Sequence, residues 1–135
     1  MKQVDILVLG GGPAGLAAAI AARRKGLAVM VAECATPPVD KACGEGLMPD
    51  SLDVLRTLGI DIPLDEAAVI RGIRFIEGSF SLETHFASGT GIAIRRPVLH
   101  RHLIKHASRL GVEMIGQARR IQFNSGQLQI AASNG

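Results

Sequence analysis

The chain has 135 residues, of which 47% are hydrophobic and 20% charged, and it carries a formal net charge of +3. That length fits one domain able to bury a core, and the balance excludes a disordered or fibrous chain. With four Phe and neither Trp nor Tyr there is little to stack on bases, so the small basic excess points to acidic partners such as a pyrophosphate and not to nucleic acid.

Val4 to Leu9 is a short, branched apolar run ending at glycines, the pattern of a parallel strand buried on both faces. Leu16 to Lys25 then predicts an Ala-rich helix stopped by Gly26, and Leu27 to Ala32 a second buried strand ending at Glu33. Together they make one βαβ unit. The glycine break at Gly10 to Pro13 and the Arg23-Arg24-Lys25 cluster after the apolar stretch run against a signal peptide. No apolar run reaches the ~18 residues of a membrane span.

After Glu33 the composition turns irregular, through Pro37-Pro38 and Lys41 to Gly46, which predicts a long loop of the kind that carries function. Pro49 opens a helix that runs to Gly59. Val69 to Glu77 and Phe80 to Phe86 alternate as two strands joined at Gly78-Ser79, and Ile92 and Ile94 suggest another short strand. Pro97 starts a third helix with its apolar stripe at Leu99, Leu103, Ala107 and Leu110. Val112 to Ile115 is expected as a third parallel strand. A last hairpin is expected from Arg120 to Phe123 and Gln127 to Ala131 around Asn124-Ser125-Gly126, with a final turn signal at Asn134-Gly135.

The strongest chemical signal is Gly10-x-Gly12-x-x-Gly15, which also contains Pro13 and Ala14, placed after a strand and opening a helix. Gly10 permits the turn off the strand. Gly12 lets the backbone approach a pyrophosphate, and Gly15 lets the helix pack closely on the sheet. An anion there meets free N–H groups and the positive end of the helix dipole. Glu33, eighteen positions after Gly15, closes the following strand where a carboxylate can accept from ribose hydroxyls and repel a 2′-phosphate. The predicted fold is α/β: a Rossmann-like FAD/NAD(P)-binding domain with three parallel strands plus an antiparallel hairpin or meander.

The segment from Asp5 to Gly15 resembles the opening of the two-dinucleotide-binding-domain flavoproteins. The loop from Asp40 to Pro49 and the segment from Ile94 to Leu99, with the helix and hairpin after it, resemble the FAD-dependent monooxygenases of the para-hydroxybenzoate hydroxylase type and the related geranylgeranyl reductases and halogenases. The resemblance implies FAD as cofactor, NAD(P)H as its reductant, and a small-molecule substrate. It places Lys41 and Cys43 near the flavin, Arg96 near its phosphate and ribityl chain, and the backbone of Arg119 beside the adenine. Cys34 joins this set beside Glu33, where its expected part is to fill space next to the second strand; a small side chain in a glycine-rich loop is the plainer role for Cys43. The resemblance further implies that residues 1–135 are the front portion of an FAD-binding domain. A later strand ending in Gly-Asp and a substrate domain would be missing, catalysis by this chain alone would be doubtful, and the exposed sheet edge would invite a homodimer.

Cys34 and Cys43 are too far apart for a C-x-x-C pair and too few for a disulfide framework, which points to a reducing, cytoplasmic setting. His102 and His106, four apart on one helix, lack a third ligand and are expected on a solvated face, so no metal site is expected. His85 and His100 carry no signal, and Arg95 is expected as an exposed charge. Two other readings remain open: a non-enzymatic module that binds ADP, NAD or FAD, and a remnant whose edge serves only as an interaction surface.

Overall fold

Ile6–Leu9 (β1), Pro13–Arg24 (α1) and Val29–Ala32 (β2) form the predicted βαβ unit in the computed structural model, which describes residues 3–43, 45–124 and 127–132. The turn signals at Gly44, Ser125-Gly126 and Asn134-Gly135 lie outside the described residues. β1 pairs in parallel with β2, from Ile6 opposite Val29 to Leu9 opposite Ala32. β2 pairs in parallel with Glu113–Ile115 (β8), giving the order β1-β2-β8. The expected two-sided burial is found in β2, where all four residues are buried, and not in β1. As the edge strand among the described residues, β1 leaves Leu9 60% exposed.

α1 starts at Pro13, three residues before the predicted start, because proline at the first helical position needs no N–H partner and has its φ already set. Its buried residues Leu16, Ala19 and Ile20 fall at helical spacing and face β2 and Arg96–Arg109 (α3). α3 contributes Leu99, Leu103 and Ala107 to the same core, and Pro49–Thr57 (α2) adds Leu52 and Leu55. Burial of these aliphatic side chains is the main source of stability, at roughly 1.5–3 kcal/mol for each large one.

The helix ends explain how these layers lock. At the C-terminus of α1, Arg23 Nε donates to Leu110 O at 2.8 Å and its Nη1 to Leu27 O at 3.0 Å. Arg24 Nη1 donates to Thr57 O at 2.8 Å, and His106 Nε2 lies 3.1 Å from Leu58 O. Orphan carbonyls at the ends of α2 and α3 thus receive donors from neighbouring helices.

The remaining strands differ from the sequence expectation in two respects. The run from Val69 to Glu77 is not one strand but two, Ala68–Ile70 (β4) and Gly72–Glu77 (β5). β4 pairs with Gly91–Ala93 (β7), which also pairs with Gly46–Leu47 (β3), a two-residue strand inside the stretch read as a loop. β5 instead pairs with Phe80–His85 (β6) through the turn at Gly78, where φ is +57°. The change of partner falls at Arg71, and a Cβ at Gly72 would sit 2.1 Å from Thr84 O, so β5 starts on a glycine that lets β6 approach this closely. Ala118–Asn124 (β9) and Gln127–Ala132 (β10) form the last hairpin.

Candidate dinucleotide site

The glycine turn is built as its spacing requires. Gly10 has φ +97°, the left-handed region, and its N–H donates to Ala32 O at 2.8 Å, keeping the turn in register with β2. A Cβ at Gly15 would lie 2.0 Å from Gly10 O and 3.2 Å from Val8 Cγ1, so no other residue lets α1 lie this close to the strand. Gly12 stands at the N-cap with φ −70° and ψ 177°, and no side chain caps the helix. The first helical bond runs from Leu16 N to Gly12 O, leaving the amides of the first turn without an intrahelical acceptor.

Glu33, at the C-terminal end of β2, is turned towards this loop and is 6% exposed. Its Oε2 accepts from Gly11 N at 2.7 Å, while Oε1 accepts from Ala35 N at 2.9 Å and from the Cys34 thiol at 3.2 Å. Burial pushes its carboxyl up. The donors at Ala35, Cys34 and Gly11 outweigh that and hold it below the usual carboxylate range. Oε1 thus already accepts two bonds, whereas Oε2 accepts one and keeps a lone pair for a further donor. The Glu33 backbone is held too, with N–H to Ile115 O at 2.8 Å and its carbonyl accepting from Ala118 N at 2.9 Å.

Arg96 is the cation of the site. A Cβ at Gly12 would lie 3.7 Å from Arg96 Nη2, with nothing else within 4 Å, so the guanidinium borders an open cradle at the start of α1. Arg96 Nε donates to Val39 O at 3.3 Å, and its backbone N–H donates to Glu45 Oε1 at 3.1 Å. Glu45, with φ +52°, also receives the Ile94 N–H on its carbonyl at 2.7 Å. It therefore ties the glycine-rich loop to the start of α3.

The other predicted residues sit further out. Lys41 and Cys43 are exposed and line an open concavity with Asp40, Ala42 and Glu45. Arg119 is exposed on β9, next to the Ala118 that bonds Glu33. Pro13 and Ala14 occupy the first turn of α1. Arg95 is exposed, as expected. Cys34 is exposed, so it does not fill space beside β2; its thiol serves the Glu33 carboxylate instead. An apolar concavity bounded by Leu52, Leu55, Ile60, Ile62 and Ile92 includes no residue of the turn.

The histidines depart from the sequence reading. His102 and His106 are half-buried and not simply solvated: His102 pairs with Glu66, and His106 with the end of α2. The side-chain bond from His102, aided by Arg101, holds the Glu66 carboxyl below its ordinary value. Among the described residues no group of three or more His, Cys, Asp or Glu could hold a metal ion. His100, which the sequence left without a role, is fully buried and contacts both Gly11 O and Val39 N. The missed signal was its place on the buried stripe of α3, beside Leu99 and one turn before Leu103, where a polar side chain needs partners.

The arrangement can receive an anion, with a carboxylate beside it that can accept hydrogen bonds. Bare amides and a guanidinium face a gap that a single methyl group at Gly12 would enter, and a carboxylate sits one strand away. No helix of the described residues is long and apolar enough to cross a membrane.

Residues 3–133 match the model of a family described as FAD binding domain. The chain is 35% identical over 123 residues to menaquinone reductase of Mycobacterium tuberculosis, covering 88% of this chain and 30% of that protein. Among solved structures, a flavoprotein/dehydrogenase from Cytophaga hutchinsonii superposes with a TM-score of 0.80 at 26% identity, over 99% of this chain and 36% of that one. A geranylgeranyl bacteriochlorophyll reductase-like protein from Thermoplasma acidophilum gives 0.71 at 27% identity, over 95% of this chain and 34% of its own. The chain thus spans about a third of the length of these relatives.

Proposed function

Because the chain belongs to the FAD-binding domain family, we propose that it seats the ADP half of FAD on the glycine turn, as the front portion of an oxidoreductase of reductase or monooxygenase type. The observation that carries this reading is the uncapped start of α1 at Gly12, bordered by the Arg96 guanidinium and backed by Glu33. In it the first-turn amides and Arg96 hold the diphosphate, and Glu33 accepts from the ribose hydroxyls. The Arg119 backbone lies by the adenine, Cys34 flanks Glu33, and Lys41 and Cys43 approach the flavin. FAD, when bound, supplies the electron transfer; the protein supplies position and charge.

NAD(P)H is the proposed reductant, and a small molecule taken up by the complete flavin site is the substrate. The name menaquinone reductase favours reduction over oxygenation. Free thiols at Cys34 and Cys43 fit a cytoplasmic protein. The open edge of β1 supports a homodimer, and gel filtration giving a monomer at every concentration would exclude it.

Calorimetric titration with FAD and ADP tests the reading. Gly12→Ala is the matching variant. Its Cβ meets Arg96 only at ordinary contact distance and φ is negative, so the fold is kept while a methyl enters the cradle. The expected outcome is an unchanged melting temperature with FAD and ADP affinity down by about tenfold or more, equivalent to losing one or two charge-assisted bonds. Wild-type protein that stays colourless and binds neither ligand would refute the proposal.

A further inference from the structure

His100 is fully buried on α3, and its ring joins two segments that are remote in sequence. Nδ1 lies 2.8 Å from Val39 N, and Nε2 lies 2.6 Å from Gly11 O. The Val39 N–H is a donor, so Nδ1 must accept; the ring proton then sits on Nε2 and is donated to Gly11 O. One imidazole therefore satisfies a backbone donor and a backbone acceptor.

The Gly11 residue is held from both sides, its N–H by Glu33 Oε2 at 2.7 Å and its carbonyl by His100. Val39 is held likewise, its N–H by His100 and its carbonyl by Arg96 Nε at 3.3 Å. His100 and Arg96 stand four apart on one helix, so they share a face. In a planar trans peptide the C=O and the next N–H point in opposite directions. Fixing the Gly11 carbonyl inward therefore aims the Gly12 N–H outward, and glycines on both sides would otherwise leave that plane free to rotate.

We propose that His100 is a positioning residue of the dinucleotide site: by donating to Gly11 O and accepting from Val39 N–H, it presets the amide of Gly12 and the Arg96 guanidinium for a diphosphate. The inference rests on the reading of the turn as a dinucleotide site. His100 itself touches no ligand. It acts through the backbone it holds.

The test uses the whole chain with ADP as probe, and three variants. His100→Gln can place an amide donor where Nε2 stands; His100→Asn can place an acceptor where Nδ1 stands; His100→Leu keeps neither. ADP binding should weaken most in His100→Leu, which keeps neither contact, by about tenfold in His100→Asn, which loses the Gly11 bond, and by only about threefold in His100→Gln, which loses the Val39 bond, the scale of one buried hydrogen bond. Amide hydrogen exchange without ligand should show the complementary pattern, with Val39 protected in wild type and His100→Asn and open in His100→Gln. A general packing defect would affect Asn and Gln alike and would not split the two readouts. Should His100→Leu fail to fold, the Asn and Gln pair still decides. Equal ADP affinity in wild type and both amide variants, or an unprotected Val39 amide in wild type, would overturn the inference alone. Wild type that does not bind ADP would overturn the dinucleotide reading and this inference with it.

Discussion

The glycine turn and the β5–β6 hairpin treat the same need, satisfying a backbone and placing side chains, in opposite ways. At the turn, the two buried polar side chains are both engaged with backbone, Glu33 on Gly11 and Ala35, His100 on Gly11 and Val39. In the hairpin every residue of β6 is exposed. Period-two alternation there puts Ile73, Phe75, Phe80 and Leu82 on one apolar face, with Phe75 and Phe80 61% and 65% exposed. One region is fixed by its own chain, whereas the other is held by its ladder and the exposed Arg74–Glu83 pair, an interaction worth little in water. The lesson is that alternation reports a strand but not whether anything covers it.

The contrast can be broken most strongly from the packed side. Leu103→Ala, at 1% exposure, should cost about 2–5 kcal/mol in urea unfolding. Gly15→Ala should cost about 3 kcal/mol or leave no folded protein, because the clash is with the Gly10 carbonyl and not with a side chain that could swing away. Gly15→Ala unfolding at the wild-type midpoint would mean that the turn is not packed as described, and Leu103→Ala doing so that the core under α3 is not.

Glu33→Gln sharpens the comparison at an intermediate size. An amide cannot accept on both ends, so one of the Gly11 and Ala35 donors is left facing an NH₂, at about 1–3 kcal/mol. The linkage has a definite sign. A carboxyl held below its ordinary value of 4.5 stabilises the fold fully above that pH, and the contribution is lost as pH falls through the folded-state value. Wild type should therefore lose stability on acidification below about pH 4.5 by more than Glu33→Gln does. Parallel acid-unfolding curves would argue against the buried carboxylate. The smallest effect belongs to the hairpin: Phe75→Ser should change stability by no more than about 0.5 kcal/mol, since the ring is already in water.

Much of this was legible from the residues. The order of strand, glycines, helix, strand and acid places Gly10, Gly12, Gly15 and Glu33 together because each step is local and sterically constrained. Leu99, Leu103 and Ala107 announced the buried face of α3 by spacing alone. What failed depended on partners far away in sequence. His100 is separated from Gly11 by 89 positions, and nothing near it signals either contact. The break at Arg71 was hidden because β4 and β5 alternate continuously while pairing with different strands. Exposure of β1 followed from its edge position, which no pattern within β1 records.

α1 and α3 start side by side, with Arg96 at Gly12, and end side by side, with Arg23 on Leu110. Two helix dipoles therefore point the same way, an alignment that would repel at both ends were the carbonyl end not clasped by arginine. At the opposite pole Glu45 Oε1 already accepts the first N–H of α3, so it is the uncapped start of α1, beside Arg96, that is left to draw a dianion from beyond contact. Capture of such a ligand should slow as salt rises, over the range where the screening length falls from about 30 Å to about 10 Å.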